Sequence, residues 1–472
     1  MTLTQLFVFA AIGIGSALLL NKRSQHRSWV MLVVSVVALF WLQPGSPIRN
    51  LGFWLPLASL ALTAVVWAIT RTQTTDNKRQ TAKTALGITL VVLLMALLRT
   101  IELPFAFLAA QPPELWVVLI GLGVVVALVL VATRLPANTR LWWAFVLGLI
   151  AAFVVLKAEP LAQALSQVLR SLNQQNPAEA NARDLSWLGF SYIAFRLIHV
   201  LREKQNNKLP AMSLQEFIVY VLFFPALTAG PIDRSDRFIK DLRAPFALDE
   251  ATTTEATRRI LIGILKKFAL ADTLSLIALN EINAAQLRPG VWAWVVVFAY
   301  ALRIYFDFSG YTDIALGLAR WFGIKLPENF NNPYLKPNLT QFWNNWHMSL
   351  SQWFRAYWFN PLTRALRKSK LPIANSQSSI VFIGQTSTML LIALWHGITL
   401  NFIVWGVWHA LGLFVHNRWA EFAKTKGWAQ PRRATNLLGT AATFVFVSLG
   451  WVWFALPSIN LSLSVFRRLV GL

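Results

Sequence analysis

The sequence predicts an all-α protein that crosses a membrane many times. Three observations carry this. Of the 472 residues, 56% are hydrophobic and 13% charged, roughly half the charged share usual in a soluble chain. Apolar runs of about 20 residues, enough to span a bilayer, recur from end to end. Basic residues gather in every second connection, the mark of cytoplasmic loops. About eleven crossings are expected, with one or two re-entrant or interfacial helices, in a multi-pass protein of the cell's inner or plasma membrane.

The first three spans, 3–20, 29–43 and 51–70, contain no acidic residue. Lys22, Arg23 and Arg27 follow the first span; Arg71, Lys78, Arg79 and Lys83 follow the third. Arg134 and Arg140 follow the fifth, and Arg202, Lys204 and Lys208 the seventh, whereas the connection at 44–50 carries Arg49 alone. This alternation sets the N-terminus outside and gives the net charge of +23 a topological meaning. No basic block stands free of the membrane segments, so a nucleic-acid partner is not expected. The first span lacks a basic lead-in and a small-residue cleavage pattern, and is read as retained. Spans at about 84–98, 115–133 and 141–156 complete an N-terminal scaffold, residues 1–157. The connection near residue 105, with Glu102, is expected to dip into the interface. Residues 158–184, rich in Gln, Asn and Ala, are expected as an external polar loop.

From Leu185 polar groups enter the apolar runs, and residues 185–420 form the expected catalytic core. Arg196 and His199 fall within one helix, where an intramembrane cation either faces a cavity or snorkels toward the loop at Arg202. The run 213–229 is short and closes on Gly230-Pro231-Ile232-Asp233-Arg234, which suits a re-entrant segment as well as a crossing. Asp233 and Arg234 are expected to pair with each other or with neighbours. Lys266 and Lys267 suit a helix at the cytoplasmic interface. Asp307, Gly310 and Asp313 lead us to expect an interrupted helix over 291–318. The last span, about 434–456, lies in a C-terminal segment, 421–472.

The densest pattern lies at 328–359. Asn338 followed by Gln341 reads as a helix start. From there Trp343, Trp346, His347, Leu350, Ser351 and Phe354 share one helical face. On spacing alone, an interfacial aromatic belt with a hydrogen-bonded histidine is the better explanation. A second histidine, in Leu394-Trp395-His396-Gly397, ends another apolar run. His409 and His416 read as hydrogen-bonded structural or interfacial groups, and His26 and His199 are given no role.

There is no cysteine, which excludes disulfides and thiolate catalysis by this chain. No HExxH, histidine cluster, Gly-x-Ser-x-Gly elbow or phosphate-binding loop occurs, so no resident metal or cofactor is expected. An imidazole in a low-dielectric setting suits acyl transfer from a thioester to a hydroxyl. It takes the hydroxyl proton as oxygen attacks the carbonyl and returns a proton to the leaving group.

The motifs resemble the membrane-bound O-acyltransferase (MBOAT) family. The matching pieces, in family order, are Ser191-Tyr192, Ala229 to Arg234, Gly263 to Asp272, Tyr305 to Gly310, Pro327 to Phe330, Trp346 to Ser351 and Leu394 to Gly397. The resemblance covers residues 188–416 and implies a ring of helices around a central tunnel. It implies that His396 is the general base and His347 the second active-site position, often Asn, Asp or His. Arg196, Asp233, Arg234, Asp307, Trp346, Ser349 and Trp395 are the expected tunnel residues. The sequence resembles the bacterial branch, which includes alginate and peptidoglycan O-acetyltransferases and the teichoic-acid D-alanyl transferase. Gly230 to Arg234 lean toward the last of these, while Ala356 stands where the branch usually has Asp, and Asn345 where it often has Arg.

The expected function is therefore transfer of an acetyl or D-alanyl group from a cytoplasmic thioester, acyl-CoA or acyl-carrier protein, to a hydroxyl of an envelope polysaccharide, teichoic acid or lipid. An extracytoplasmic transfer partner is compatible with it. The rival readings are a transporter or flippase of a lipid-linked intermediate, against which stands the lack of internal repeats, and a non-catalytic scaffold.

Overall fold

The computed structural model describes residues 3–19, 24–71, 77–101, 108–136, 138–245, 248–428 and 433–472. Lys22, Arg23 and the connection near residue 105 lie outside the described residues. Among the described residues every regular element is a helix. Seven of them are long and apolar enough to cross a membrane: Leu51–Thr70, Lys78–Leu97, Leu115–Arg134, Thr139–Lys157, Val291–Trp321, Gln377–His396 and Ala434–Ala455. Gln5–Ser16, His26–Trp41 and Leu214–Ala226 are apolar but shorter. Length and apolarity thus do not reach the eleven crossings counted from hydropathy. The helix Leu115–Arg134 is apolar all round, and Leu119, Ile120, Val124, Leu128 and Val131 are exposed on it. Such a surface is stable against lipid and not against water. The protein is an all-α polytopic membrane protein.

The chain divides into two compact units, residues 1–260 with 314–327 and residues 261–313 with 328–472. In the first unit the short run after Ser213 is broken by its own chemistry. The helix Leu214–Leu222 stops at Phe223, and Pro225 removes an amide donor from the single turn Phe224–Ala226. Arg196 completes the break. Its two terminal nitrogens donate to the carbonyls of Val221 at 2.7 Å and Ala226 at 2.8 Å. The side chain is 2% exposed, so it points inward and does not snorkel. His199 Nε2 accepts the Ser235 amide at 3.1 Å, and Tyr220 donates to the Asp233 carbonyl at 2.9 Å, tying the Gly-Pro turn to two helices. Asp233 pairs with Arg237 and Arg234 with Asp236, rather than with each other, although the Arg234 amide donates to the Asp233 carboxylate at 2.6 Å. Burial pushes the Asp233 carboxyl up to about 6 against the pull of Arg237.

The loop after the helix Thr139–Lys157 begins with the amphipathic helix Glu159–Leu172. Asp184 anchors the rest of the loop, accepting from Ser166 Oγ at 2.7 Å, Arg170 Nε at 3.0 Å and the Asn181 amide at 3.2 Å. Burial alone would raise this carboxyl; those hydrogen bonds outweigh burial and hold it below the usual carboxylate range.

In the second unit Gln377–His396 and Leu400–Thr425 form a tight helical hairpin. Gly406 allows the close approach, since a Cβ there would stand 3.0 Å from the Met389 carbonyl oxygen. The helix Val291–Trp321 corrects one expectation, for it runs without a break. Gly310 is a seat and not an interruption: a Cβ there would lie 2.8 Å from both the Gly263 carbonyl oxygen and the Lys267 amide nitrogen. The acids that flank it are neutralised in place. Asp313 pairs with Lys266 at 2.7 Å and Asp307 with Lys267 at 2.5 Å. Both lysines stand on a π-helical turn, Leu265–Ala271.

Candidate active site

The single helix expected through His347 is instead two short ones, Leu339–Asn345 and Met348–Phe354. Asn338 caps the first by accepting the Gln341 amide at 2.9 Å. His347 lies in the bend with φ 43 and ψ 54, in the left-handed region. Such a conformation strains a residue with a Cβ by about 1–2 kcal/mol and persists where the surroundings over-determine it. Here the surroundings are a single buried side chain, Asn329. Its Oδ1 receives the Ser349 amide at 3.1 Å and the Ser349 hydroxyl at 2.7 Å, and lies 3.3 Å from His347 Nδ1. Its backbone carbonyl accepts the Met348 amide at 2.9 Å.

These contacts fix the tautomer. An amide N–H only donates, so the Asn329 atom facing Ser349 N is oxygen. His347 Nδ1, facing the same oxygen, must then carry the proton. The lone pair is left on Nε2, which is buried and has no hydrogen-bond partner among the described residues. His347 lies outside the spanning helices, and burial pushes its ring down to about 3, keeping it neutral. A neutral imidazole with its acceptor nitrogen held in a buried site is the form a general base requires.

Around it the walls are aromatic. Phe308 meets the His347 ring edge-to-face at 4.6 Å, and Trp395 stands 6.1 Å away between centroids. Trp395 also lies 4.5 Å from the ring of its neighbour His396, so one indole touches both histidines. His396 ends its helix, half-buried, against Phe454 at 4.8 Å, Trp405 at 5.7 Å and Phe402 at 6.1 Å. Gly397 allows this, since a Cβ there would approach the Phe402 ring to 2.5 Å.

The second unit thus brings His347, Ser349, Trp395 and His396 together. Trp346 faces an aromatic cluster of Phe330, Phe342 and Trp451. Asp307 is taken by Lys267, and Arg196, Asp233 and Arg234 belong to the first unit. His409 differs from expectation: it is fully buried against Trp343 and Trp405, and neither ring nitrogen has a hydrogen-bond partner among the described residues. Sequence reasoning missed the part played by Asn329, although the residue stood within the motif Pro327 to Phe330; its separation of 18 residues from His347 carries no local signal.

Comparison with family profiles matches residues 134–458 to the membrane-bound O-acyltransferase family, MBOAT. The chain belongs to this family. Both histidines and Asn329 fall inside the matched region. The chain is 31% identical over 294 residues to a teichoic acid D-alanyltransferase of Bacillus subtilis (strain 168), covering 62% of this chain and 74% of the relative. It is 34% identical over 281 residues to a probable alginate O-acetylase of Pseudomonas fluorescens, covering 58% and 52%. A peptidoglycan O-acetyltransferase of Helicobacter pylori is 31% identical over 286 residues, covering 58% and 52%. The chain spans about half the length of these two acetyl-transferring relatives. This MBOAT chain is an acyltransferase.

Proposed function

We propose that this acyltransferase carries an acetyl or D-alanyl group from a cytoplasmic thioester, on coenzyme A or a carrier protein, to a hydroxyl of an envelope polysaccharide, teichoic acid or lipid. His396 acts as the general base. It takes the hydroxyl proton as the oxygen attacks the thioester carbonyl; the C–S bond breaks, and the proton leaves with the thiolate. His347 assists through Nε2, orienting the hydroxyl or holding the proton in transit. The observation that supports this is the pair of imidazoles on one indole, with the Nε2 of His347 kept as a buried acceptor by Asn329. General-base assistance supplies about 10²–10⁴ in rate, and positioning in a dry site the remainder. A carrier protein on the cytoplasmic side and a transfer partner on the other are the partners this reaction calls for, in the inner or plasma membrane.

The test is His396→Ala in purified, reconstituted protein given an acyl thioester and an acceptor polymer. Transfer should be abolished in a variant that stays folded and monodisperse in detergent; transfer at the wild-type rate would remove His396 from the role of base.

A further inference from the structure

The first unit holds a cavity of about 720 Å³ in which neither histidine of the proposed reaction takes part. It lies between the end of the helix Thr139–Lys157 and the loop 181–191, and its size is that of a small-molecule site. Its wall carries two cations, Lys157 and Arg183, one acid, Glu159, the hydroxyls of Ser186 and Ser191, and the indole of Trp187. Arg183 and Glu159 are in no ion pair among the described residues, and the Arg183 side chain is exposed.

The wall is also held rigidly. Besides the Asp184 anchor, Ser46 Oγ donates to the Asp184 carbonyl at 2.9 Å and Gln43 Nε2 to the Ser186 carbonyl at 2.6 Å. The Leu188 amide donates to Gln43 Oε1 at 3.1 Å, and Trp187 Nε1 to Ser59 Oγ at 2.8 Å. A surface loop needs none of this to stay soluble. A loop tied to three other segments, presenting the Arg183 guanidinium at a cavity, is built to meet a ligand without reordering.

We infer that this cavity binds an anionic, polyhydroxylated chain, one repeat of which places a carboxylate or phosphate on Arg183 and Lys157. The planar guanidinium suits a bidentate oxyanion. Glu159, Ser186 and Ser191 receive or supply hydroxyl hydrogen bonds, and the face of Trp187 covers the carbon skeleton. The single acid among two cations selects against a bare anion and in favour of one flanked by hydroxyls. As a holding site for the acyl acceptor, the cavity rests on the proposed transfer reaction; as a binding site it stands by itself.

The test uses full-length protein in zwitterionic-lipid nanodiscs, titrated with fluorescent oligouronate, oligo(glycerol phosphate) and neutral malto-oligosaccharide of equal length. At least one anionic oligomer should bind tenfold or more tighter than the neutral one. Whichever binds tells the carboxylate source from the phosphate source. The double variant Lys157→Gln, Arg183→Gln should lose tenfold or more of that affinity and flatten its salt dependence. His396→Ala should bind the oligomer as wild type does, so that loss of transfer and loss of binding are read separately. Equal binding of all three oligomers, or wild-type affinity in the double variant, overturns the inference.

Discussion

Replacing Asn329 by Ala removes the one acceptor shared by His347 Nδ1 and by the amide and hydroxyl of Ser349, at 3.3, 3.1 and 2.7 Å. The hydroxyl can turn elsewhere. The Ser349 amide is fixed by the helix in whose first turn it lies, and the His347 N–H keeps only its own backbone as acceptor; both residues are buried. An unmet buried donor costs about 1–3 kcal/mol, so the bend as a whole loses about 2–6 kcal/mol of support. For the imidazole alone the lost share of about 1–3 kcal/mol lowers the population of the Nε2-acceptor form, and with it the rate, about 5- to 150-fold. The assay is single-turnover acyl transfer in proteoliposomes across a range of pH. Wild-type protein should show no acid limb from His347, because burial keeps its ring near 3. Asn329→Asp separates the chemistry from the fold. It retains an oxygen acceptor and adds a negative charge that favours the imidazolium. Its activity should survive at high pH and fall on acidification at a higher pH than in the wild type. If Asn329→Ala stays within twofold of wild type with the same pH profile, Asn329 does not position His347.

The packing predicts three further outcomes. Gly310→Ala puts a methyl 2.8 Å from two backbone atoms that cannot rotate away; a loss of about 1–3 kcal/mol is expected, read as a lower melting temperature in detergent. Arg196→Ala leaves the carbonyls of Val221 and Ala226 without their guanidinium donors, at about 2–4 kcal/mol, and Arg196→Lys should restore only part because one ammonium lacks the fork that spans both; equal melting of the two variants would contradict this. Asp184 has a depressed folded pKa, so its contribution is present above the ordinary carboxylate pKa and is lost as pH falls through the lower folded value. Limited proteolysis of the loop 173–189 should accelerate over that acidic interval in wild type, and Asp184→Asn should show fast cleavage at every pH.

The membrane class, the seven long apolar helices and both candidate histidines were legible in the sequence for one reason. Lipid tolerates few polar groups, so each one left inside an apolar run stands out. His347 and His396 were visible on those terms, as were Arg196, Asp307 and Asp313. What Arg196 and the two acids do was not legible, because the answers lie in partners 25 to 47 residues away: Val221 and Ala226 for Arg196, Lys266 and Lys267 for the two acids. Gly310 was misread because glycine marks a helix break and a close helix approach with the same letter. The bend at His347 was hidden for another reason. The aromatic spacing on either side is helical, and the two short helices each satisfy it; only the conformation of one residue separates them.

That conformation narrows what natural variation at position 347 can supply. Beyond glycine, the side chains that occupy positive φ most readily are Asn, Asp and His. The substitutions that the family resemblance allows there are the same three, so the backbone filters candidates before any proton moves. Surveys that equate variability at this position with catalytic dispensability will therefore mislead. An engineer who wishes to probe the imidazole alone should choose Asn at 347, since a β-branched or aromatic replacement would report on main-chain geometry instead.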